Sequence, residues 1–309
     1  VLDIIKGKDL VGLNYDSMYS EFEAQKNANC VVIEWEEVGE EEGTGIVHIA
    51  PGCGEADHDL GQKFKLKIIA PLDEFGVYLN GFGFLTGKNI HNVNDEFFLN
   101  LEEKGFLFKQ ESITHRYPTC WRCGTECAFR LVEEWFISVN EIRPLMKDVA
   151  NTIRWEPDYV GKRMQDWLDN MGDWIISRKR FWGLALPFYE CECGEVIVVG
   201  SKSELKEKAV DCKLVDKLPS LHRPWIDKIK IKCKCGKEVE RIKDVGDCWL
   251  DAGIVPFSTL KYLEDKEYWK RWFPVDLVCE SRAQVRLWFY SLLFMSVTLE
   301  GVSPYKNLR

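Results

Sequence analysis

Hydrophobic and polar residues follow two different patterns along the chain, and the pattern changes near residue 134. Before that point, short runs rich in β-branched residues at 30–35 and 45–50 are bounded by turn residues and predict strands. Helical spacing of apolar residues at 94–104, followed by Gly105, predicts one helix. The first part is therefore predicted to be β-rich, a compact mixed barrel with helices packed on it.

The second part of the chain alternates between segments with the apolar spacing of helices and segments with that of strands. Helical patterns occupy 141–153 and 158–172, a strand is predicted at 276–279, and a long helix is predicted at 281–299. Strands that alternate with helices are typical of an α/β sheet. We therefore expect an α/β domain in this half.

Composition narrows the class of protein. The chain has 309 residues, of which 46% are hydrophobic and 29% charged, as in folded globular proteins of two or three domains. Its most apolar run, 287–299, is shorter than the ~20 residues that a membrane span needs. No signal peptide is visible, so we expect a cytoplasmic protein without a membrane segment. Because the sequence starts at Val1, we expect a piece of a longer polypeptide.

Charge is unevenly distributed. The sum is −9, from 41 basic and 50 acidic residues, which argues against a general nucleic-acid coat. Residues 1–60 carry 3 basic and 14 acidic side chains, whereas 201–243 carry 13 basic and 7 acidic ones. The second stretch would attract phosphate. It fits a solvated face as well as an RNA contact.

Twelve cysteines point to thiolate chemistry in a reducing compartment rather than to disulfides, because the chain is long enough to build a core. Two Cys-x-Cys-Gly knuckles, Cys191/Cys193 and Cys233/Cys235, are each followed by a strand-like run. Four thiolates would close a tetrahedral structural zinc site. Buried thiols without metal, or a redox pair, are the alternatives.

A second cysteine group has the spacing Cys120-x2-Cys123-x3-Cys127. The first two residues alone would make half of a zinc site. Structural cysteines are the alternative interpretation.

Residues 43–57 place a glycine turn between a predicted strand and an acidic helix start. Acidic residues in a first turn commonly serve as partners of the helix dipole. The functional alternative is an anchoring carboxylate, Asp57, at the mouth of a pocket beside His48. Phosphate-binding loops, zinc-protease motifs and serine-hydrolase elbows are not found in the sequence.

Taken together, several segments resemble class I aminoacyl-tRNA synthetases, specifically the isoleucyl-tRNA synthetases. The segments are GTGIVHIAPGCGEAD (43–57), DWIISRKRFWGLALP (173–187), LHRPWID (221–227), DCWLDAG (247–253) and CESRAQVRLWFY (279–290). They follow the family's order through nearly the whole chain, which makes the resemblance far more specific than any single motif.

The resemblance implies a multidomain protein of mixed α/β and β class. A β-barrel-like editing domain would occupy 1–135, and a partial Rossmann-like catalytic domain 136–187 and 241–309. A zinc-ribbon insert would occupy 188–240.

The resemblance also implies a function. The full-length enzyme would attach isoleucine to tRNA(Ile) with ATP and would hydrolyse mischarged valyl-tRNA(Ile). The two amino acids differ by one methylene and are the standard illustration of a difference too small for one pocket to resolve, so that a second site is needed. Asp57 would grip the α-ammonium of the misattached amino acid, with His48 in a positioning role and Thr44 in the same pocket.

In the synthetic half, the resemblance assigns residues to the isoleucine and adenylate pocket. These are Trp249, Asp251, Glu280, Gln284, Trp288 and Trp182. Without the resemblance, the three tryptophans would fit a hydrophobic core equally well. The implied cofactor is structural zinc, with ATP and Mg²⁺ as substrates. The implied partners are tRNA(Ile), isoleucine, valine and the rest of the polypeptide, and the expected state is a monomer.

The sequence also departs from the family pattern. The His-Ile-Gly-His and Lys-Met-Ser-Lys-Ser motifs and the threonine-rich editing strand are absent, and Ser281 and Leu287 replace glycines that many relatives have. We therefore expect no aminoacylation by this chain alone. The alternatives are a valyl-tRNA synthetase fragment, a stand-alone editing hydrolase, and a non-catalytic zinc-ribbon protein that binds tRNA.

Overall fold

A computed structural model of the chain describes residues 5–39, 44–112 and 114–309. It divides into two compact units, Val1–Glu133 and Glu134–Arg309. Each unit is described by itself below. In the described part of the chain, no helix is both long enough and apolar enough to cross a membrane.

The described residues of the first unit form two α-helices, α1 (Glu55–Lys63) and α2 (Asn94–Glu103). The helix predicted at 94–104 is thus confirmed, and Leu101 places its apolar face in the core. That core is largely aromatic and is built around Tyr19, Phe22, Phe82, Leu85, Val93 and Leu101. Short 3-10 turns lie at Gly7–Asp9, Glu23–Gln25, Gly83–Leu85 and Ile90–Asn92.

The strands predicted at 30–35 and 45–50 are wrong. Among the described residues of this unit, paired backbone is limited to isolated bridges such as Asn14–Val31 and Leu72–Tyr78. An extended run becomes a strand only when a neighbour accepts its hydrogen bonds, and two short segments alone are marginal. The β-branched pattern indicated extended backbone without supplying that partner, and the predicted barrel is not confirmed.

The second unit is a mixed α/β structure with small sheets. Its strands are β1 (Phe136–Ile137), β2 (Arg154–Trp155), β3 (Trp174–Ile175), β4 (Ser177–Arg178), β5 (Phe188–Glu190), β6 (Val196–Val198), β7 (Lys230–Lys232), β8 (Glu238–Glu240), β9 (Val245–Gly246), β10 (Val275–Val278) and β11 (Tyr305–Leu308). Its helices are α3 (Arg143–Asn151), α4 (Tyr159–Asn170), α5 (Lys202–Lys208), α6 (Cys212–Asp216), α7 (Cys248–Ser258), α8 (Lys266–Trp272) and α9 (Trp288–Glu300).

A parallel sheet of order β10–β11–β2 forms the centre of this unit. The helices α3, α4 and α9 cover it with residues that are completely buried, among them Met146, Met164, Leu168, Phe289 and Leu293. The helices predicted at 141–153 and 158–172 and the strand at 276–279 are confirmed within two residues. The prediction of an α/β half is therefore confirmed at this coarse level.

The helix predicted at 281–299 is wrong at its start. The chain forms a 3-10 helix at Arg282–Arg286, and Leu287 then takes φ −124° and ψ −106°, which breaks the helical path. The long helix α9 begins only at Trp288. The sequence concealed this break, because Val285 before Leu287 and Phe289 after it are both buried and fit one helical pattern.

The segment from β5 to β8 has a small hydrophobic core of its own. Two antiparallel hairpins, β5–β6 and β7–β8, pack with α5 and α6 around Tyr189, Val215 and Ile231. The bridge between Tyr189 and Arg241 joins the hairpins at one edge. This arrangement brings together cysteines that are about 40 residues apart in sequence.

Candidate functional site

The turns of the two hairpins have the same backbone conformation. The Cys191 N–H donates to the Glu195 carbonyl and the Cys233 N–H donates to the Lys237 carbonyl, each at 2.9 Å. The turns close with Gly194 and Gly236, both at φ +87°, a conformation that glycine adopts without strain. The sequence therefore folds into two equivalent knuckles because each Cys-x-Cys is followed by glycine.

The knuckles bring four sulfur atoms together. The ligand atoms of Cys191, Cys193, Cys233 and Cys235 lie within 4.8 Å of one another. The Sγ–Sγ distances are 3.6 Å for Cys191–Cys235 and 3.7 Å for Cys193–Cys233. Four sulfurs at this spacing fit the tetrahedral set that zinc takes in structural sites, since Zn–S bonds are ~2.3 Å.

The four thiols influence one another's ionisation. The Lys237 backbone N–H and hydrogen bonds from Cys191 and Cys233 lower the pKa of Cys235 to about 7, whereas the pKa values of Cys191 and Cys233 are raised, Cys191 to about 12, by hydrogen bonds within the cluster and by burial. One thiolate therefore forms readily near neutral pH. Four thiolates at this spacing repel one another unless a cation lies between them.

Cys120 and Cys123 lie in a third turn of similar form, in the first unit. The Cys120 N–H donates to the Thr125 carbonyl and the Gly124 N–H donates to the Cys120 carbonyl, both at 2.8 Å. The Cys123 sulfur lies 3.3 Å from Thr125 Oγ1, and this hydrogen bond is the largest effect among those that lower the pKa of Cys123 to about 7. The structure does not assemble a four-ligand set at this turn from the described residues.

Asp57 lies in the first turn of α1, and tight packing positions that turn. A Cβ on Gly52 would lie 1.8 Å from the Ile69 carbonyl oxygen, so only glycine fits there. The half-buried Asp57 carboxylate folds back over Gly54, where an added Cβ would lie 2.9 Å from Oδ2. The carboxylate is therefore held at the start of the helix without an ion-pair partner among the described residues.

Neither of the other two predicted editing residues hydrogen-bonds to this carboxylate among the described residues. Thr44 is exposed, and its Oγ1 accepts a hydrogen bond from the Ile46 N–H at 3.3 Å. His48 is exposed and makes no side-chain hydrogen bond with any described residue. The described geometry therefore does not join Thr44 and His48 to Asp57 by hydrogen bonds.

Burial and charge identify Cys53 as a neighbour of Asp57, and Tyr78 as a neighbour of Cys53, and sequence reasoning missed both. Burial raises the pKa of Cys53, and the negative charge of Asp57 raises it further. Burial also raises the pKa of Tyr78, and the negative charge of Cys53 raises it further. Cys53 belongs to the glycine motif, so its position in the sequence was a usable signal, whereas Tyr78 gave none.

The second group of predicted residues gathers beside the parallel sheet. Glu280 follows the carboxyl end of β10, and its N–H donates to the Arg309 carbonyl at 3.0 Å. Ligands of open α/β sheets bind beyond the carboxyl ends of the strands, so this edge is where a ligand is expected.

Gln284 and Trp288 connect this edge to α7. Gln284 Oε1 accepts a hydrogen bond from the Trp288 N–H at 3.2 Å, so the Gln284 side chain caps α9. The Trp288 indole N–H donates to the Ala252 carbonyl at 2.9 Å. The Trp288 side chain therefore has a fixed orientation between α7 and α9, and the Gln284 side chain is fixed against the start of α9.

Trp249 and Asp251 lie in the first turn of α7, which Asp247 caps. Asp247 is buried, and its Oδ1 accepts from the Trp249 N–H at 3.1 Å. Its Oδ2 accepts from Arg178 Nη2 at 2.6 Å and from the Trp174 indole at 3.2 Å. Sequence reasoning overlooked Asp247, although an aspartate directly before a helical run is a recognisable cap signal.

Trp182 packs against the segment 188–240, which carries the four-cysteine cluster. Its ring is 63% exposed and stacks on His222, with centroids 4.8 Å apart and an angle of 11°. No hydrogen bond within the described residues joins it to Gln284 or Trp288. Five of the six predicted synthetic residues therefore lie along the sheet edge and α7, and Trp182 does not join them.

Comparisons with known proteins identify the family of the chain. The family of class I tRNA synthetases (I, L, M and V) matches residues 4–309. Isoleucine–tRNA ligase from Methanosarcina barkeri is 36% identical over 100% of this chain, and that from Methanocaldococcus jannaschii is 38% identical over 99%. A solved ternary complex of a LeuRS from Agrobacterium radiobacter K84 with tRNA and LeuAMS aligns with a TM-score of 0.31 at 22% identity, covering 45% of this chain and 19% of that one.

The chain corresponds to only part of these relatives, since it covers 29% of the length of each of the two ligases. The family nevertheless matches nearly every residue of the chain. The chain therefore belongs to the class I tRNA synthetases of the isoleucine, leucine, methionine and valine group.

Proposed function

We propose that this chain is the part of an isoleucine–tRNA ligase that carries the hydrolytic editing site and one side of the synthetic site. The observation that carries the proposal is the match to isoleucine–tRNA ligases along the whole chain at 36–38% identity. The complete protein would attach isoleucine to tRNA(Ile) with ATP and Mg²⁺. It would act as a monomer in the cytoplasm and would hydrolyse valyl-tRNA(Ile).

The proposed domains follow from this assignment. The editing domain, expected as a barrel, is 1–135, the catalytic domain is 136–187 and 241–309, and the zinc insert is 188–240. The division of the chain after Glu133 supports the first boundary. The separate core around Tyr189 and Ile231 supports the insert.

In the editing reaction, the Asp57 carboxylate would pair with the free α-ammonium of the misattached valine. Aminoacyl-tRNA keeps that ammonium, so a fixed anion can orient the ester towards an attacking water. Water adds to the ester carbonyl, and the tRNA hydroxyl leaves with a proton. Thr44 and His48 would complete the pocket, with His48 positioning the substrate.

In the synthetic reaction, Glu280, Gln284, Trp288, Trp249 and Asp251 would form one wall of the isoleucine and adenylate pocket. Glu280 and Gln284 follow the carboxyl end of β10, and the Trp288 indole reaches α7, the helix of Trp249 and Asp251, which supports this role. Trp182 would also line this pocket. It lies in the segment where the chain returns from the editing domain to the catalytic domain. We expect no isoleucine-dependent ATP–pyrophosphate exchange by the chain alone.

Zinc would have a structural role here. Cys191, Cys193, Cys233 and Cys235 would hold it and fix the two hairpins, and four thiolates leave no open coordination position for chemistry. Cys120 and Cys123 would provide half of a second site.

The experiment is the release of labelled valine from valyl-tRNA(Ile) by the 309-residue chain and two variants. Asp57→Ala should lower the rate about 10- to 100-fold, because a hydrogen bond to a charged group contributes about 1.5–3 kcal/mol. Asp59→Ala is the matched control, since Asp59 is an exposed carboxylate on the same helix. Equal rates for Asp57→Ala and the parent chain, or no release at all, would contradict the proposed editing site.

A further inference from the structure

Basic side chains line a cleft in the second unit. It has a volume of about 570 Å³ and lies between α4 and the 3-10 helix Arg282–Arg286. Its charged lining consists of Lys162, Arg163, Asp166, Arg282 and Arg286. Four cations therefore face one carboxylate, in a chain whose net charge is −9.

These four cations are not neutralised by neighbours. None of the ion pairs within the described residues involves them, although lysines and arginines nearby are paired, such as Lys147 with Asp169. The single carboxylate of the cleft, Asp166, lies 3.2 Å from the Asn170 side-chain amide, which donates to it. Like charges collected in a concave surface raise the local potential and attract anions.

Aromatic rings orient two of the cations without neutralising them. The Arg286 guanidinium lies 5.1 Å from the Trp167 ring centre, and the Arg163 guanidinium lies 5.8 Å from that of Tyr159. A planar guanidinium held in this way presents its N–H groups to phosphate in a fixed direction.

The two walls of the cleft are rigid. Met164 of α4 is completely buried and Val285 of the 3-10 helix is 4% exposed, and both belong to the same hydrophobic core. The spacing of the cations on the two walls is therefore set by the fold.

We propose that this cleft binds the phosphodiester backbone of an RNA strand. Several cations along an open groove match a chain of phosphates better than a single small anion, and arginine is suited to phosphate. The choice of RNA over another polyanion rests on the proposed function as a tRNA ligase. The contact differs from the ester hydrolysis at Asp57, which lies in the other unit.

The test is the binding of fluorescently labelled tRNA to the 309-residue chain over a range of salt concentrations. Arg163→Gln with Arg282→Gln should weaken binding about tenfold at ~0.1 M salt. The slope of log K against log salt should fall in magnitude by about 1.5, since each lost phosphate contact removes about 0.7–0.9. The charge-keeping pair Arg163→Lys with Arg282→Lys should retain most of the affinity.

The matched control is Lys213→Gln with Lys217→Gln, which removes the same charge from exposed positions of the lysine-rich stretch 201–243. It should change the affinity less than twofold. Equal losses from both double variants, or none from the arginine pair, would overturn the proposal.

Two competition arms identify the ligand. Poly-glutamate or inorganic phosphate that displaced tRNA from the parent chain as well as unlabelled tRNA does, at equal phosphate or carboxylate concentration, would overturn the assignment to RNA. The editing proposal and the RNA-binding proposal can fail independently. Asp57 lies in the first unit, so Asp57→Ala should leave tRNA binding by this cleft unchanged, whatever it does to the release of valine.

Discussion

Gly253 shows how one residue fixes the approach of two helices. A Cβ added there would lie 2.7 Å from the Ser291 carbonyl oxygen of α9, which is backbone and has little freedom to move. Gly253→Ala should therefore lower the free energy of unfolding by about 1–3 kcal/mol, the cost of overpacking. Urea unfolding of the two proteins measures the difference.

The control for this prediction is Gly172→Ala, since an added Cβ at Gly172 meets nothing within 4 Å. Its free energy of unfolding should equal or slightly exceed that of the parent chain. Equal stability of both alanine variants would show that α7 and α9 are not packed as described.

Arg241 and Asp227 form the most buried ion pair of the second unit. The Arg241 side chain is 0% exposed, and its Nη2 donates to Asp227 Oδ1 at 2.5 Å. The same guanidinium donates to the Leu186 and Asp244 carbonyls at 3.0 and 2.8 Å. One side chain thus ties Asp227 to the backbone at Leu186 and at Asp244, a role that sequence alone gave no means of assigning.

Asp227→Asn should destabilise the chain at neutral pH. Removing the charge leaves Arg241 buried without compensation, and the expected cost is about 2–3 kcal/mol, because Asp227 itself is 28% exposed. Asp276→Asn is the control, since its partner Lys306 and Asp276 are both largely exposed. Urea unfolding at pH 7 should separate the two variants, and identical curves would contradict this account of the pair.

The effect of Asp227 should also depend on pH. Burial opposes its ionisation, but hydrogen bonds from Arg241 and Arg223 outweigh burial and lower the pKa of Asp227. A carboxyl group with a lowered pKa in the folded state stabilises the chain above its unfolded pKa of ~3.9. The stabilisation is lost as pH falls through the lower folded value, so the gap between the parent chain and Asp227→Asn should narrow below about pH 4.

At the scale of elements, the sequence predicted local structure best where one face is buried by its own neighbours. The helices α2, α3 and α4 were found because their apolar spacing is set by a single core-facing stripe. The strand prediction at 45–50 failed because strands depend on partners that are distant in sequence. The start of α9 was missed because backbone angles at Leu287, and not its hydrophobicity, break the helix.

The candidate sites, like the helices and strands, were predictable where the residues that form them are close in sequence. The four-cysteine cluster was predictable because each knuckle is local and carries its own glycine, and pairing the two hairpins was the only distant step. Placing Gln284 as the cap of α9 required the structure. The basic cleft was not predictable, because α4 and Arg282–Arg286 are more than 100 residues apart and each alone shows ordinary surface charge.

Loss of metal should be visible at the scale of the two hairpins. The chain purified with zinc should lose one zinc ion when Cys233→Ser is introduced, and the insert should unfold at a lower temperature, because metal binding contributes to folding. Cys212→Ser is the control, since Cys212 is exposed and lies outside the cluster. Equal zinc content in all three proteins, measured by atomic emission, would contradict the metal site.

At the scale of the whole molecule, the two units differ in charge. The acidic first stretch and the unpaired cations of the second unit create opposite local fields within a chain of net charge −9. Under the proposed function, this distribution would favour contact of a phosphate backbone with the second unit, while the first would receive the aminoacyl end. That division of labour stays a prediction from the order of motifs along the sequence, whereas the internal arrangement of the first unit did not follow from its pattern.

The proposed editing site is tested most directly by measuring how fast the parent chain releases the amino acid from valyl-tRNA(Ile) and from isoleucyl-tRNA(Ile). An editing site of an isoleucine–tRNA ligase should release valine at least about tenfold faster than isoleucine, because the correct amino acid carries one more methylene, which is worth ~1–3 kcal/mol. Equal rates for the two substrates, or faster release of isoleucine, would contradict the account.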